Sequence, residues 1–194
     1  VWMINNIEST SKVNRVLGKV ELRYEPTSWL NLTARTGLDT YTDEREDIYP
    51  VISAGTNNGG RFTKETITRT QINSDFIARA RFDLTDDIAL SALAGLGLND
   101  RRLDDHGANA RAFINPFSPP QLNNATNFEL FNREEVERTA GIYATLGFEF
   151  YDQVFLNLSA RNDWLSTLPV DDNSVFYPAA DVAWQFTKLM SNRD

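Results

Sequence analysis

The chain has 194 residues, a formal net charge of −8, no cysteine and one histidine. The negative balance argues against a nucleic-acid binder. The missing cysteines exclude a disulfide scaffold, a thiolate zinc site and a cysteine nucleophile, and a single histidine excludes multi-histidine metal sites. No apolar run reaches the ~18 residues of a membrane helix; the longest candidate, Ile88 to Leu98, is interrupted by Ser91 and by glycines. The opening Val1-Trp2-Met3-Ile4-Asn5-Asn6 lacks the basic start and apolar core of a secretion signal. A β-type membrane protein remains compatible with all of this, because a spanning strand carries its apolar residues only at every second position.

Period-two alternation runs through the chain, and helical periodicity is scarce. The first run has Val16, Gly18, Val20, Leu22 and Tyr24 in one phase and Arg15, Leu17, Lys19, Glu21, Arg23 and Glu25, mostly charged, in the other. A break at Pro26-Thr27-Ser28 leads to Leu30, Leu32, Ala34, Thr36 and Leu38 against Asn31, Thr33, Arg35 and Asp39. After a polar stretch, Phe76, Ala78, Ala80, Phe82 and Leu84 oppose Arg79, Arg81 and Asp83. Thr85-Asp86-Asp87 separates that run from Ile88, Leu90, Ala92, Ala94, Leu96 and Leu98. A later pair has Ile142, Ala144, Leu146, Phe148 and Phe150, a break at Tyr151-Asp152-Gln153, then Val154, Leu156, Leu158 and Ala160 against Asn157, Ser159, Arg161 and Asp163. The last run is Pro178, Ala180, Val182, Trp184 and Phe186.

These runs predict an all-β chain, an antiparallel up-and-down meander of about seven long strands. Several exceed the ~5–6 residues usual in soluble sheets and approach the ~9–11 of membrane strands. Tight turns near 26–28, 85–87 and 151–153 alternate with long polar connections near 43–65, 100–133 and 165–175. Short turns at one end and long loops at the other mark a transmembrane β-barrel. Both charge signs stand close together in the polar phase, as in Lys19-Glu21-Arg23, Arg79-Arg81-Asp83 and Arg161-Asp163. Aromatic residues gather near the expected strand ends: Tyr24, Trp29, Tyr41, Phe148, Phe150, Tyr151, Trp164, Phe176, Tyr177, Trp184 and Phe186. Such girdles sit where membrane meets water. A soluble β-rich carbohydrate-binding or adhesin module shares the alternation, with the apolar phase facing a core instead of lipid.

The stretch Leu158-Ser159-Ala160-Arg161-Asn162-Asp163-Trp164-Leu165-Ser166-Thr167-Leu168-Pro169, followed by Asn173-Ser174-Val175-Phe176-Tyr177-Pro178-Ala179-Ala180, resembles a strand–loop–strand of SusC/RagA-type TonB-dependent transporters. Val20-Glu21-Leu22-Arg23-Tyr24-Glu25-Pro26 with Trp29-Leu30-Asn31-Leu32 resembles an earlier hairpin of the same family, as does Arg69-Thr70-Gln71-Ile72-Asn73-Ser74-Asp75-Phe76. The resemblance covers residues 15–188. Thr167 and Ala179 stand where the family commonly has serine. It implies an outer membrane of a Gram-negative bacterium and energised import of a large nutrient, a glycan or a peptide. The implied partners are a SusD-like surface lipoprotein, the TonB complex and outer-membrane lipid. Residues 1–194 are then one segment of the barrel, with a plug domain expected before Val1 and further strands after Asp194. A siderophore-type receptor or a porin is the nearest alternative. No substrate-contacting residue carries over, so the ligand-binding residues are unknown.

No motif points to catalysis, to a metal or to a cofactor. His106 in Asp104-Asp105-His106-Gly107 reads as a solvated loop residue. Asp171-Asp172-Asn173 and Asp104-Asp105 offer oxygen donors for calcium but lack the EF-hand spacing. Glu134, Glu135 and Glu137 read as solubilising charges at a loop base rather than an acid–base set. Gly95-Leu96-Gly97 lacks the third glycine and the following helix of a nucleotide fingerprint and reads as close approach within a strand. Asn31-Leu32-Thr33, Asn124-Ala125-Thr126 and Asn157-Leu158-Ser159 match the glycosylation pattern, which a bacterial reading discounts.

Overall fold

Tight turns set the register of this chain. In the computed structural model, which describes residues 6–53, 56, 59–118 and 121–187, Tyr151 and Asp152 take φ of 53° and 51°. The Gln153 amide donates to the Phe150 carbonyl at 2.9 Å. Positive φ at both central positions is what a hairpin turn needs to match the twist of its strands. It joins β5 (Ala125–Phe150) to β6 (Val154–Leu165), placing Phe150 opposite Val154 and Leu146 opposite Leu158.

The other strands are β1 (Glu8–Thr27), β2 (Leu30–Tyr49), β3 (Arg61–Thr85), β4 (Ile88–Phe113) and β7 (Ser174–Trp184). All seven form one sheet in sequence order, β1 to β7. The seven-stranded antiparallel meander expected from the alternation is therefore present, as are all three tight turns. Apart from the strands, the ordered elements among the described residues are two 3₁₀ turns, Leu122–Asn124 and Val170–Asp172. No helix among these residues is long and apolar enough to cross a membrane.

The long connections differ from expectation. Most of 43–65 and 100–133 is strand: β2 runs to Tyr49, β3 starts at Arg61, β4 runs to Phe113 and β5 starts at Ala125. The ladder continues where the alternation fades, because backbone pairing does not require an apolar face. Tyr41 accordingly lies inside β2 rather than at its end. Of the expected loop residues, 54, 55, 57, 58, 119 and 120 lie outside the described residues, as does the Val1–Asn5 stretch.

The chain divides into two compact units. The first comprises 1–17, 39–71 and 101–136. It holds a small buried cluster of Phe62, Ala110 and Ala125, with Ile48, Phe113 and Leu122 packed against it. Gly60, at φ +76°, closes this end of β3; a Cβ there would meet the Phe113 ring at 2.6 Å. The connection between β4 and β5 is pinned by two asparagines. The Asn115 amide donates to Asn124 Oδ1 at 3.0 Å, and Asn124 Nδ2 returns a bond to the Asn115 carbonyl at 2.9 Å.

The second unit comprises 18–38, 72–100 and 137–194 and contains the tight turns. These are tied together: the Tyr151 amide donates to the Asp87 carbonyl at 2.7 Å, and the Arg81 amide to the Trp29 carbonyl at 3.0 Å. Of its described apolar side chains, Ile77 is buried, while most of the large ones are exposed.

Candidate functional site: an apolar face and a polar face

Successive strand side chains point to opposite faces, and across the β5–β6 register Ala144 faces Ala160 and Phe148 faces Leu156. The even-numbered residues of the second unit thus share one face. Along β5, positions 141–147 alternate between covered odd residues and exposed even ones. Leu22 is 69% exposed, Phe76 51%, Leu146 42% and Val182 69%. Ala78, Ala94, Ala144 and Ala160 floor a shallow groove of about 860 Å³ on this face, between Phe76 and Ile142.

The apolar face ends in aromatic residues. Trp29 and Phe82 lie with ring centroids 5.1 Å apart, and Trp184 and Phe186 6.1 Å apart. At the other end the even phase turns polar between Leu98 and Asp100 on β4 and between Ala140 and Arg138 on β5. Arg138 Nε donates to Asp100 Oδ2 at 2.9 Å. A run such as Ala140–Phe150 rises about 3.3 Å per residue, and at the ~45° tilt of membrane strands it covers about 25 Å, the height of the apolar band of a spanning barrel.

The odd-numbered face of the same unit is a lattice of opposite charges. Arg35 Nε meets Asp75 at 2.7 Å, Arg161 meets Asp163 at 2.8 Å and Arg81 meets Glu149 at 3.4 Å. Lys19 and Arg23 flank Glu21 at 2.6 and 2.7 Å, and Asn157 donates to Asp181 at 2.9 Å. Arg161 also lies 5.5 Å from the centroid of the Tyr143 ring. Gly95 makes room for that ring, since any Cβ there would overlap it. Each pair is partly exposed and individually weak; their collective effect is to keep this face wet and charge-balanced.

In the first unit polar groups pair in both phases, beside exposed apolar side chains such as Phe128 and Leu130. Even positions pair as Thr40 with Thr70 at 2.8 Å, Thr42 with Thr68 at 3.3 Å and Lys64 with Glu46 at 2.9 Å. Odd positions pair as Arg15 with Asp39 at 2.5 Å, Ser11 with Asp43 at 2.6 Å and Thr63 with Asn109 at 2.7 Å. The Ser11 hydroxyl, and after it Arg45, hold the Asp43 carboxyl below its usual range against the effect of burial. Burial pushes the Glu65 carboxyl up, the nearby Asp105 adds to the rise, and Arg45 at 3.6 Å opposes it.

The residues singled out in the sequence do not converge. His106 lies in β4, not in a loop, and its ring Nδ1 is 2.8 Å from Asp104, with both side chains exposed. Glu134, Glu135 and Glu137 lie within β5 rather than at a loop base, and Glu135 pairs with Arg133. Asp171 and Asp172 sit in an exposed 3₁₀ turn. Gly95 and Gly97 are strand residues of β4. Among the described residues no three His, Cys, Asp or Glu gather as metal donors. The charge groups anticipated around Lys19, Arg81 and Arg161 are present. The pairs Arg35–Asp75 and Arg138–Asp100 were not anticipated, since each joins residues 40 and 38 positions apart on consecutive strands. Their one sequence signal is opposite charge in the same phase of neighbouring runs.

A family model described as TonB dependent receptor-like, beta-barrel, matches residues 5–192. Among solved structures, the RagAB peptide transporter aligns with TM-score 0.84 and 14% identity, over 100% of this chain and 22% of that one. The RagAB peptide importer in its open-open state gives 0.82 at 14% identity with the same coverage. The siderophore receptor PiuA from Acinetobacter baumannii gives 0.52 at 12% identity, over 89% of this chain and 29% of that one. The chain thus spans about a fifth of the length of the RagAB chains it matches, and at these identities the likeness is one of fold. No curated protein matches it.

Proposed function

The chain belongs to the TonB-dependent receptor-like β-barrel family, and from that premise we propose that residues 1–194 are one segment of the barrel wall of an outer-membrane nutrient importer of SusC/RagA type. The observation that carries this reading is the single-layered sheet of the second unit, with exposed apolar side chains in one phase and paired charges in the other. The apolar phase meets hydrocarbon, and the charged phase lines a hydrated lumen and packs a plug. The first unit, with paired polar groups in both phases, stands in water outside the hydrocarbon. The wall catalyses nothing. Substrate passage belongs to the whole protein, energised through TonB and assisted by a SusD-like lipoprotein, in a Gram-negative outer membrane. A peptide is the favoured cargo over a glycan, because the RagAB structures that match the whole chain belong to a peptide importer; the siderophore alternative rests on a weaker likeness.

These 194 residues hold no cysteine, so site-specific labels within them test the reading once any cysteine elsewhere in the intact protein has been replaced. Single cysteines at Leu146 and Thr145 of the intact protein are labelled in membranes with a nitroxide. Lipid-soluble oxygen is expected to relax the first, and a water-soluble nickel complex the second. The same relaxer dominating at both positions rejects the wall. Uptake of labelled peptides and oligosaccharides by cells carrying the intact protein then decides the cargo.

A further inference from the structure

In the first unit β5 runs past the strand beside it. β5 spans Ala125–Phe150, whereas β6 spans only Val154–Leu165, and the last pair between them sets Thr139 opposite Leu165. Ser166 closes that ladder: its amide donates to the Arg138 carbonyl at 2.9 Å, and the Arg138 amide donates to Ser166 Oγ at 2.8 Å. β5 lies between β4 and β6 in the sheet, so among the described residues no strand follows on the β6 side from Val136 back to Phe128. In an antiparallel ladder a residue turns its amide and its carbonyl to one neighbour, and the next residue turns to the other. Counted from Arg138, the backbone groups of Phe128, Leu130, Asn132, Glu134 and Val136 face the open side.

The side chains of these five residues share one face, and none is buried. Phe128 is 55% exposed and Leu130 79%. Glu134 is exposed and makes no ion pair among the described residues. Charged neighbours in the opposite phase are engaged: Arg133 meets Glu135, and Arg111 on β4 meets Glu129 at 3.1 Å. The edge is thus a row of open backbone donors and acceptors, with two apolar side chains at one end and a free carboxylate four residues beyond Leu130. An open strand edge is a template for another extended chain.

We propose that this edge captures peptide cargo by adding it to the sheet as an antiparallel strand. The segment it selects reads, from its N-terminus, a basic residue, any three residues, an apolar residue, any one residue and a second apolar residue. The basic side chain meets Glu134, and the apolar ones lie beside Leu130 and Phe128. Backbone bonds supply affinity, and alternate side chains supply selectivity, as in other strand additions. Recognition through the backbone tolerates many sequences, which a peptide importer needs and a fixed protein partner does not. A glycan lacks the amide repeat of about 7 Å, two strand residues, that the edge presents. A second copy of the edge brings no cation in this phase between Phe128 and Val136, so charge complementarity favours a basic peptide over self-pairing. The inference rests on the peptide-importer reading and names the class of peptide.

The probe is a fluorescein-labelled, amidated heptapeptide with lysine first, valine at its fifth and seventh positions and threonine elsewhere. It is titrated by anisotropy onto the intact, detergent-purified protein. Bound peptide is expected to slow hydrogen exchange at the amides of Phe128, Leu130, Asn132 and Glu134 and to leave those of Glu129, Phe131 and Arg133 unchanged. N-methylation at the third and fifth peptide positions removes two donors aimed at the edge and is expected to weaken binding at least about tenfold. N-methylation at the fourth and sixth positions, whose amides face away, is expected to change nothing. Leu130→Pro removes one amide from the open side alone; it is expected to weaken binding and to lower uptake of the heptapeptide by cells. Glu134→Lys is expected to weaken binding about threefold, the size of one exposed ion pair, with recovery when glutamate replaces the peptide's lysine. No binding, or equal binding of the two methylated peptides, overturns the edge site and leaves the importer reading to the uptake assay. Edge binding with undiminished uptake by Leu130→Pro cells overturns the capture role. Failure of the intact protein to import any peptide sinks the importer reading and the cargo assignment together.

Discussion

Five strands, β1 to β5, contribute to both units, yet the units obey different rules. In the second, Leu146 and Thr145 are neighbours in β5 with opposite environments, one exposed and apolar, the other among the paired charges of the odd face. In the first, Thr42 and Asp43 are neighbours in β2, and both are hydrogen-bonded polar groups. The contrast teaches that strand pairing and amphipathicity are separable. A sheet alternates strictly only where its two faces meet different media. Where both faces meet water, Thr–Thr contacts and Lys–Glu or Arg–Asp pairs replace the apolar phase and the ladder continues without a pattern.

That contrast can be broken most sharply by placing one charge at matched positions. In the intact protein Leu146→Arg is expected to cost about 2–4 kcal/mol of folding stability in a lipid refolding titration, the midplane value for an arginine on a lipid face. Thr145→Arg, in the opposite phase, and Thr42→Arg, in the same even phase of the first unit, should each cost little. Equal costs at all three would remove the distinction between the units.

A smaller effect probes the crowded odd face. Gly95→Val forces a Cβ into the Tyr143 ring and is expected to cost about 1–3 kcal/mol, as overpacking does. The double variant with Tyr143→Ala should recover much of it; without recovery in that cycle, the glycine serves something other than the ring.

In the first unit the expected effects are local. Asn124→Ala removes both bonds to Asn115 and should lower protection of the β4–β5 connection in hydrogen exchange by about 1 kcal/mol, leaving the tight turns unchanged. Faster exchange at the turns as well would mean that the units do not respond separately.

The smallest effect concerns pH. The folded state raises the Glu65 carboxyl above its ordinary value, so the folded protein holds that proton more tightly than the unfolded chain does. The associated stability is present at low pH and is lost as pH rises through the raised value. Glu65→Gln should therefore increase exchange protection around β3 at neutral pH and change nothing below the usual carboxylate range. Asp43 works the other way. Its lowered carboxyl supports the fold above its ordinary value, and that support is lost on acidification through the folded value. Asp43→Asn should thus matter at neutral pH and become silent in strong acid.

The number of strands, the three tight turns, the two phases and the charge groups around Lys19, Arg81 and Arg161 were all readable in the chain. Each is a local property: a period of two, a Pro-Thr-Ser or Tyr-Asp-Gln break, or charges two residues apart on one strand. The resemblance carried by Leu158–Pro169 and Asn173–Ala180 was local too. Strand length, the partners of Arg35 and Arg138 and the space that Gly95 yields to Tyr143 were decided only by the tertiary structure. They depend on which residues face one another across the ladder. Beyond Asp39, Asp100 and Val136 the alternation that would have marked the strands fades, because polar pairs across the ladder such as Thr40–Thr70 and Ser11–Asp43 hold the strands together without an apolar phase.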